Sequence, residues 1–237
     1  MSGVPLIRWD APEPYEVFFS TRLGGTSEGS YSSLNLGLSS GDDRERVEEN
    51  RRRLYAATGA HPEGVAWHRQ VHGARVARAS ALAEEADGIW TDEPERAVMV
   101  VTADCVPVAV ARLDGGRPAV ALAHVGWRGL LAGVVAATVQ AIGGELVAAS
   151  VGPGIGPCCY DVKAEVADLV EASFGLGLVR KGKLDLPGAV ERALGAAGCT
   201  RVDRLDECTA CNTDRFFSHR RDEGVTGRQG AIAYVAG

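Results

Sequence analysis

The sequence predicts a layered fold of the mixed-sheet α/β or α+β class, in one domain covering residues 1–237. Three observations point there. The middle of the chain carries closely spaced apolar runs of the buried-strand type. Helical and strand-like segments mix without regular alternation, which argues against a clean doubly wound sheet. No Pro/Ser-rich or single-charge stretch is long enough to be a linker, and 237 residues suffice for one large core.

Taken in order, Tyr15–Ser20 (Y-E-V-F-F-S) reads as a strand that runs into the polar, Gly-rich loop T-R-L-G-G-T-S-E-G-S. Gly41-Asp42 is expected to cap a charged helix over 43–58, with Arg44/Glu48 and Glu48/Arg52 at i,i+4 spacing. A short apolar segment at 64–67 leads into R-Q-V-H-G and a strand-like A-R-V-A-R. Buried strands are expected at 97–101 and 106–113, interrupted by T-A-D-C, and again at 119–123 after the turn D-G-G-R-P. A helix over 130–142, a strand at Val147–Val151, helices over 161–174 and 187–197, and a final strand at 230–235 complete the pattern.

Bulk properties exclude several classes of function. Hydrophobic residues make up 46% and charged residues 24%, and the formal charge is -6. That balance argues against nucleic-acid or anionic-membrane partners, which need a basic surface. No apolar run approaches the roughly 18 residues that cross a bilayer. The start, M-S-G-V-P, lacks the basic and apolar regions of a secretory signal, so the expected location is cytoplasmic. Six cysteines in such a chain read as thiols, ligands or nucleophiles rather than as a disulfide framework.

Three metal-competent residues fall at the ends of expected buried strands: His72, Cys105 and His124. Two imidazoles and a thiolate suit zinc, and three protein ligands leave a fourth position open, as catalytic sites do. Spacing alone does not separate this from a buried cysteine and two satisfied loop histidines. His68 lies four residues before His72 and reads first as an exposed bystander, with ligand or second-shell donor as alternatives. The loop at 20–27 offers Arg22, adjacent glycines and hydroxyls, a set able to grip a phosphate or carboxylate; the plain alternative is a turn with an arginine in solvent. G-P-G-I-G-P at 152–157 matches neither the P-loop nor the dinucleotide fingerprint, and its prolines remove amide donors, so it reads as a shaped wall. The neighbouring Cys158-Cys159 pair is expected to be buried rather than reactive. Cys208-Thr-Ala-Cys211, with His219 downstream, is half of a zinc site. The nearest further candidate, Cys199, is not at knuckle spacing, so no second metal is expected there.

Together the motifs S-T-R-x-G-G-x-S, Q-V-H-G, A-D-C, H-x-G-W-R-G, G-P-x-I-G-x-C-C-Y and F-F-S-H-R-R-D resemble, in order and from Ser20 to Arg228, the bacterial laccase-like polyphenol oxidase family, also described as purine nucleoside phosphorylases. The resemblance implies a layered α/β/β/α fold similar to the catalytic domain of a Cys-His deamidase toxin. It implies that His72, Cys105 and His124 bind the metal and form the catalytic set, with zinc as the ion and copper as the alternative. The activity implied is phosphorolysis of adenosine, inosine and methylthioadenosine, with adenosine deamination. The partners are then a purine nucleoside and phosphate, with Arg22, Asp104 and Arg128 as candidate substrate contacts. For deamination, zinc would lower the pKa of a bound water, and the resulting hydroxide would attack the purine carbon bearing the amino group. Three alternatives stand beside this: a metal-free Cys-His hydrolase or amidase with Cys105 as nucleophile, a copper-dependent polyphenol oxidase, and a factor that corrects peptidoglycan precursors. The oxidase is disfavoured because the chain has five histidines, of which the matched site uses two.

Overall fold

The structure is a computed structural model that describes residues 3–79 and 85–237. In chain order its main elements are β1 (Leu6–Arg8), β2 (Tyr15–Ser20), α1 (Arg44–Thr58), β3 (Val76–Arg78), β4 (Gly88–Thr91), β5 (Val98–Thr102), β6 (Val106–Arg112), β7 (Val120–Val125), α2 (Trp127–Ala132), α3 (Val134–Ile142), β8 (Val147–Val151), α4 (Ala164–Phe174), β9 (Val179–Arg180), β10 (Lys183–Leu184), α5 (Leu186–Ala196), β11 (Arg201–Arg204) and β12 (Gln229–Val235). Among the described residues β11-β8-β6-β7-β4-β3 form a six-stranded sheet and β1-β2-β12-β5 a four-stranded one, with β9 and β10 as a separate pair. The larger sheet is mixed, since β8–β11 and β3–β4 run parallel and its other pairs antiparallel. The smaller is antiparallel throughout.

Side-chain alternation along the strands sorts the core into three clusters and so fixes the layer order. Val106, Val108 and Val110 of β6 face Leu130, Val134 and Val190 of the helices, while Ala109 and Ala111 face the other way, towards Val17, Phe19, Ala231 and Ala233 of the smaller sheet. On β12 the intervening Ile232 and Tyr234 turn outward onto Leu54 and Tyr55 of α1. The order is therefore helices, six-stranded sheet, four-stranded sheet, α1: the expected α/β/β/α layering. A sheet covered on both faces needs strands apolar on both faces, and β7 (V-A-L-A-H-V) is buried along its whole length. Alanines at the sheet–sheet contact let the layers close around Phe19 and Leu122.

The topology also gathers loops at one end. The start of β6, the end of β7, the start of β4, the end of β8 and the end of β11 all lie on the same edge of the larger sheet, because antiparallel neighbours present opposite termini together. The chain crosses between the sheets at that end, from β5 in one to β6 in the other.

Several boundaries differ from expectation. The helix expected over 130–142 starts earlier, at Trp127, and is broken into α2 and α3 by Gly133, whose φ of 92° is left-handed and ends the first helix. α1 is capped by Asp43 rather than Gly41-Asp42: its carboxylate accepts from the amides of Glu45 (2.8 Å) and Arg46 (3.2 Å). Arg44 pairs with Glu48 at 2.8 Å, but Arg52 turns to Glu49, one residue closer than the expected Glu48. β7 runs on to Val125, which puts His124 inside the strand. The short strands β1, β4, β9, β10 and β11 carry too few residues for periodicity to reveal them. Among the described residues no helix is long and apolar enough to cross a membrane.

Leu122 is fully buried between the sheets whereas Leu176 is 81% exposed. Leu122→Ala should cost about 2–5 kcal/mol in urea unfolding, and Leu176→Ala should stay within about 0.5 kcal/mol of the parent.

Candidate metal centre

The gathered loops bring His72, Cys105 and His124 together, with one ligand-type atom from each within 4.8 Å of the others. Cys105 Sγ lies 3.8 Å from His72 Nε2, and the two imidazole rings meet edge to face with centroids 4.7 Å apart. His124 is buried, Cys105 is half-buried and His72 is exposed, so the group opens to solvent on one side.

Each residue is placed by a specific local cause. Cys105 follows Asp104, whose φ of 86° is left-handed and strained for a non-glycine residue. Three bonds hold it there. Asp104 Oδ1 accepts from the Thr209 hydroxyl (2.7 Å), Oδ2 from the Arg220 amide (2.6 Å), and its carbonyl from the Ile155 amide (2.8 Å). His72 is the second left-handed residue of the site, at φ 60°. Asp87, buried at the start of β4, accepts from the amides of Val71 (3.1 Å), His72 (2.9 Å) and Gly73 (2.7 Å). The same carboxylate sits 2.8 Å from His124 Nδ1, so that nitrogen carries the proton and Nε2 keeps its lone pair for a ligand. Gly126 is required by space: a Cβ there would stand 2.9 Å from Cys105 Sγ and 3.0 Å from the His72 ring.

The electrostatics follow from this packing. Burial on its own would raise the Cys105 thiol, but the His124 and His72 rings outweigh it and bring it down to about 6. Burial would lower His124, yet the Cys105 thiolate and the Asp87 carboxylate lift it to about 9. Asp87 itself would be raised by burial; the His124 ring and the amides of Gly73 and Val71 hold it below the usual carboxylate range. Without an ion the site is a thiolate–imidazolium pair, and loading a metal displaces the His124 proton. Two imidazoles, one thiolate and a carboxylate behind His124 fit a borderline-soft ion with an open corner.

The other residues singled out in the sequence divide. Arg128 is exposed, its guanidinium 4.5 Å over Trp127, and its charge acts on Tyr160, which also lies within electrostatic reach of Cys105. Asp104 lies at the site, and both of its carboxylate oxygens are engaged by the protein, which makes it a staple of the Cys105 loop. Arg22 is bonded to the carbonyls of Ser32 (2.7 Å) and Thr213 (3.1 Å) and stacks over Phe217. It lines a pocket of about 360 Å³ with Ser30, Thr213, Arg221, Asp222 and Val225, a lining that contains none of the three metal-competent residues. His68 is buried, not exposed as expected, and stands outside the cluster. The 152–157 segment is tied to neighbouring loops: the Gly152 amide donates to the Pro107 carbonyl at 2.8 Å, and Gly154 forms an isolated parallel β-bridge with Cys208. Sequence reasoning missed Asp87, and it missed Tyr160 and Arg228, which lie within electrostatic reach of Cys105. The one signal for Asp87 is an acid directly ahead of an apolar strand, in A-D-G-I-W.

Residues 16–236 match the family described as multi-copper polyphenol oxidoreductase laccase. The chain belongs to this family. It is 36% identical to purine nucleoside phosphorylase YfiH of Escherichia coli, over 99% of this chain and 100% of that one. It is 39% identical to a purine nucleoside phosphorylase of Deinococcus radiodurans, over 97% and 92% of the two chains. Among solved structures, YlmD from Geobacillus stearothermophilus superposes with a TM-score of 0.89 at 32% identity, covering 100% of this chain and 98% of that one. The layered fold is thus shared with this family.

Two predictions follow from the geometry. Asp87→Asn should keep the fold but weaken zinc binding by about 10–100-fold in a competition titration. In chelator-stripped protein the depressed Cys105 thiol stays ionised as pH falls, so its alkylation by iodoacetamide should decline only through about pH 6. Burial raises the Cys159 thiol to about 11 and Cys158 higher still, so at neutral pH peptide mapping should find Cys105 labelled well ahead of both.

Proposed function

We propose that the chain is a zinc-dependent purine nucleoside phosphorylase acting on adenosine, inosine and methylthioadenosine, with adenosine deamination as a second activity at the same centre. The observation that carries this reading is the convergence of His72, Cys105 and His124 from three distant loops, with Asp87 orienting His124. The relatives named purine nucleoside phosphorylase support the substrate class.

His72 Nε2, Cys105 Sγ and His124 Nε2 would hold the ion. A bound zinc supplies Lewis acidity and one open coordination position. The chain's own residues do the rest. Asp87 keeps the proton on His124 Nδ1, the Cys105 loop is held by the staple at Asp104, and the missing Cβ at Gly126 leaves room for the sulfur. Tyr160, within electrostatic reach of both Cys105 and Arg128, and Arg128 itself are the candidate contacts for the purine ring. The pocket beside Arg22 and Arg221 is the candidate phosphate subsite, where two guanidiniums offset the anion's charge. Two of the Arg22 donors already hold backbone carbonyls, so its guanidinium is preset in one orientation.

One observation favours a second reading. The oppositely shifted Cys105 and His124 are also what a metal-free Cys-His hydrolase needs. Cys105→Ser separates the two, because it should reduce retained metal under the first reading and leave metal content unchanged under the second. Oxidase chemistry has less support: only His72 and His124 of the five histidines join a metal-competent group among the described residues, and the other such group is all sulfur.

Assays of adenosine, inosine and methylthioadenosine with and without phosphate test the proposal. Free base should appear only with phosphate, chelation should abolish it, and zinc should restore it. His124→Ala should lose about 100-fold or more in kcat/KM, and full activity in that variant or in metal-free protein would overturn the reading. Arg22→Ala should raise KM for phosphate about tenfold with metal content unchanged. Inosine formed from adenosine without phosphate reports the deaminase arm.

A further inference from the structure

A second cluster of ligand-type side chains lies beside the candidate metal centre and takes no part in the function proposed above. β8 and β11 are parallel neighbours, so the loops that follow them leave the sheet side by side. The first carries Cys158 and Cys159 and the second Cys208 and Cys211. Their four sulfur atoms all lie within 4.8 Å of one another, and Cys211 Sγ is 3.3 Å from both Cys158 Sγ and Cys159 Sγ. A tetrahedral zinc with Zn–S bonds of about 2.3 Å sets its sulfurs about 3.8 Å apart, a spacing that falls between the 3.3 Å contacts and the 4.8 Å outer limit of this cluster. The missing half of the Cys208-x-x-Cys211 motif is therefore not Cys199, which packs on the helix side of the large sheet. It is the Cys158-Cys159 pair, which lies partly exposed instead of buried as the sequence suggested.

One sulfur of the cluster, Cys208, already has donors that favour its anion. The amide of Gly156 donates to Cys208 Sγ at 3.2 Å, and the amides of Cys211 and Ala210 are directed at the same sulfur. Amides aimed at a Cys-x-x-Cys sulfur stabilise its anionic form. Four thiols so close have only weak S–H contacts to offer one another, whereas one divalent cation satisfies all four.

We propose that Cys158, Cys159, Cys208 and Cys211 form a closed, structural site for one zinc ion, separate from the centre at His72, Cys105 and His124. The ion clamps the loop after β8 to the loop after β11. Thr209, inside the Cys208–Cys211 turn, donates the 2.7 Å bond to Asp104, so the clamp also holds the strained residue that presents Cys105. Four protein ligands leave no open corner, which gives this ion a structural role and no direct part in turnover.

Elemental analysis of reduced, purified protein tests this without relying on activity. A Cys105→Ser/His124→Ala protein, which lacks the first centre, should retain about one zinc per chain. Cys208→Ser/Cys211→Ser should lose about one equivalent relative to the parent, with its circular dichroism retained. Should the Cys208/Cys211 variant fail to fold, cobalt chloride added to metal-stripped Cys105→Ser protein decides the matter, because its remaining thiols outside the cluster reduce to Cys199. Intense thiolate-to-cobalt charge-transfer absorption with tetrahedral ligand-field bands is expected. Zinc content unaffected by the Cys208/Cys211 change, a cobalt spectrum without thiolate absorption, or a Cys158–Cys211 or Cys159–Cys211 disulfide in the freshly purified, unstripped protein by mass spectrometry would overturn the proposal. The readouts concern metal content alone, so they stand whether or not the phosphorolysis assay succeeds.

Discussion

The candidate centre depends first on one buried carboxylate. Asp87 accepts three successive amides of the 71–73 segment and the ring proton of His124, which ties two ligand-bearing segments to a single point. A charge taken out of water survives only where its lone pairs are filled, and here they are. The same bonds decide the tautomer of His124, the left-handed turn at His72 and the charge that favours a proton or a cation nearby. A neutral or shorter side chain at 87 would leave amides unsatisfied and both histidines free to turn.

The two-sheet architecture explains why ligands so far apart in sequence meet. In an antiparallel pair the end of one strand lies beside the start of the next, so His124 near the end of β7 stands beside the entry to β6. The crossing from β5 to β6 carries Cys105 to that edge, and the β4 start brings Asp87. Rigid strands set the distances, and the loops only have to present side chains. Arg22 lies on the loop after β2 and Arg228 directly before β12, so the smaller sheet brings basic groups to the same end.

Much of the fold was legible because long apolar strands and amphipathic helices carry their period on the surface of the sequence: β2, β5, β6, β8, α1 and α5 fall close to their expected positions. The misses have physical causes. The break at Gly133 was hidden because the residues on either side continue the same apolar face, and a glycine alone does not announce a left-handed turn. The two-, three- and four-residue strands owe their existence to neighbours across the sheet. At the site, His72, Cys105 and His124 were visible through their chemistry and their motifs. Asp87 was not, since a carboxylate that acts through the His124 ring is marked only by what folds against it. Cys158-Cys159 and Cys208-x-x-Cys211 each read as incomplete, and only the parallel pairing of β8 with β11 supplies the long-range contact that joins them.

That contact changes how the two clusters of the molecule relate. Asp104 sits in a backbone conformation that a non-glycine residue holds only when its surroundings over-determine it. Its carbonyl is held by Ile155, from the loop that leads to Cys158, and one carboxylate oxygen by Thr209, between Cys208 and Cys211. Two of its three restraints therefore originate in loops that the sulfur cluster ties together. Loosening either loop would let Asp104 relax towards an ordinary φ and carry Cys105 away from His72 and His124. The position of the Cys105 sulfur is then a property of both clusters, and the short Thr209–Asp104 bond is the mechanical link between them.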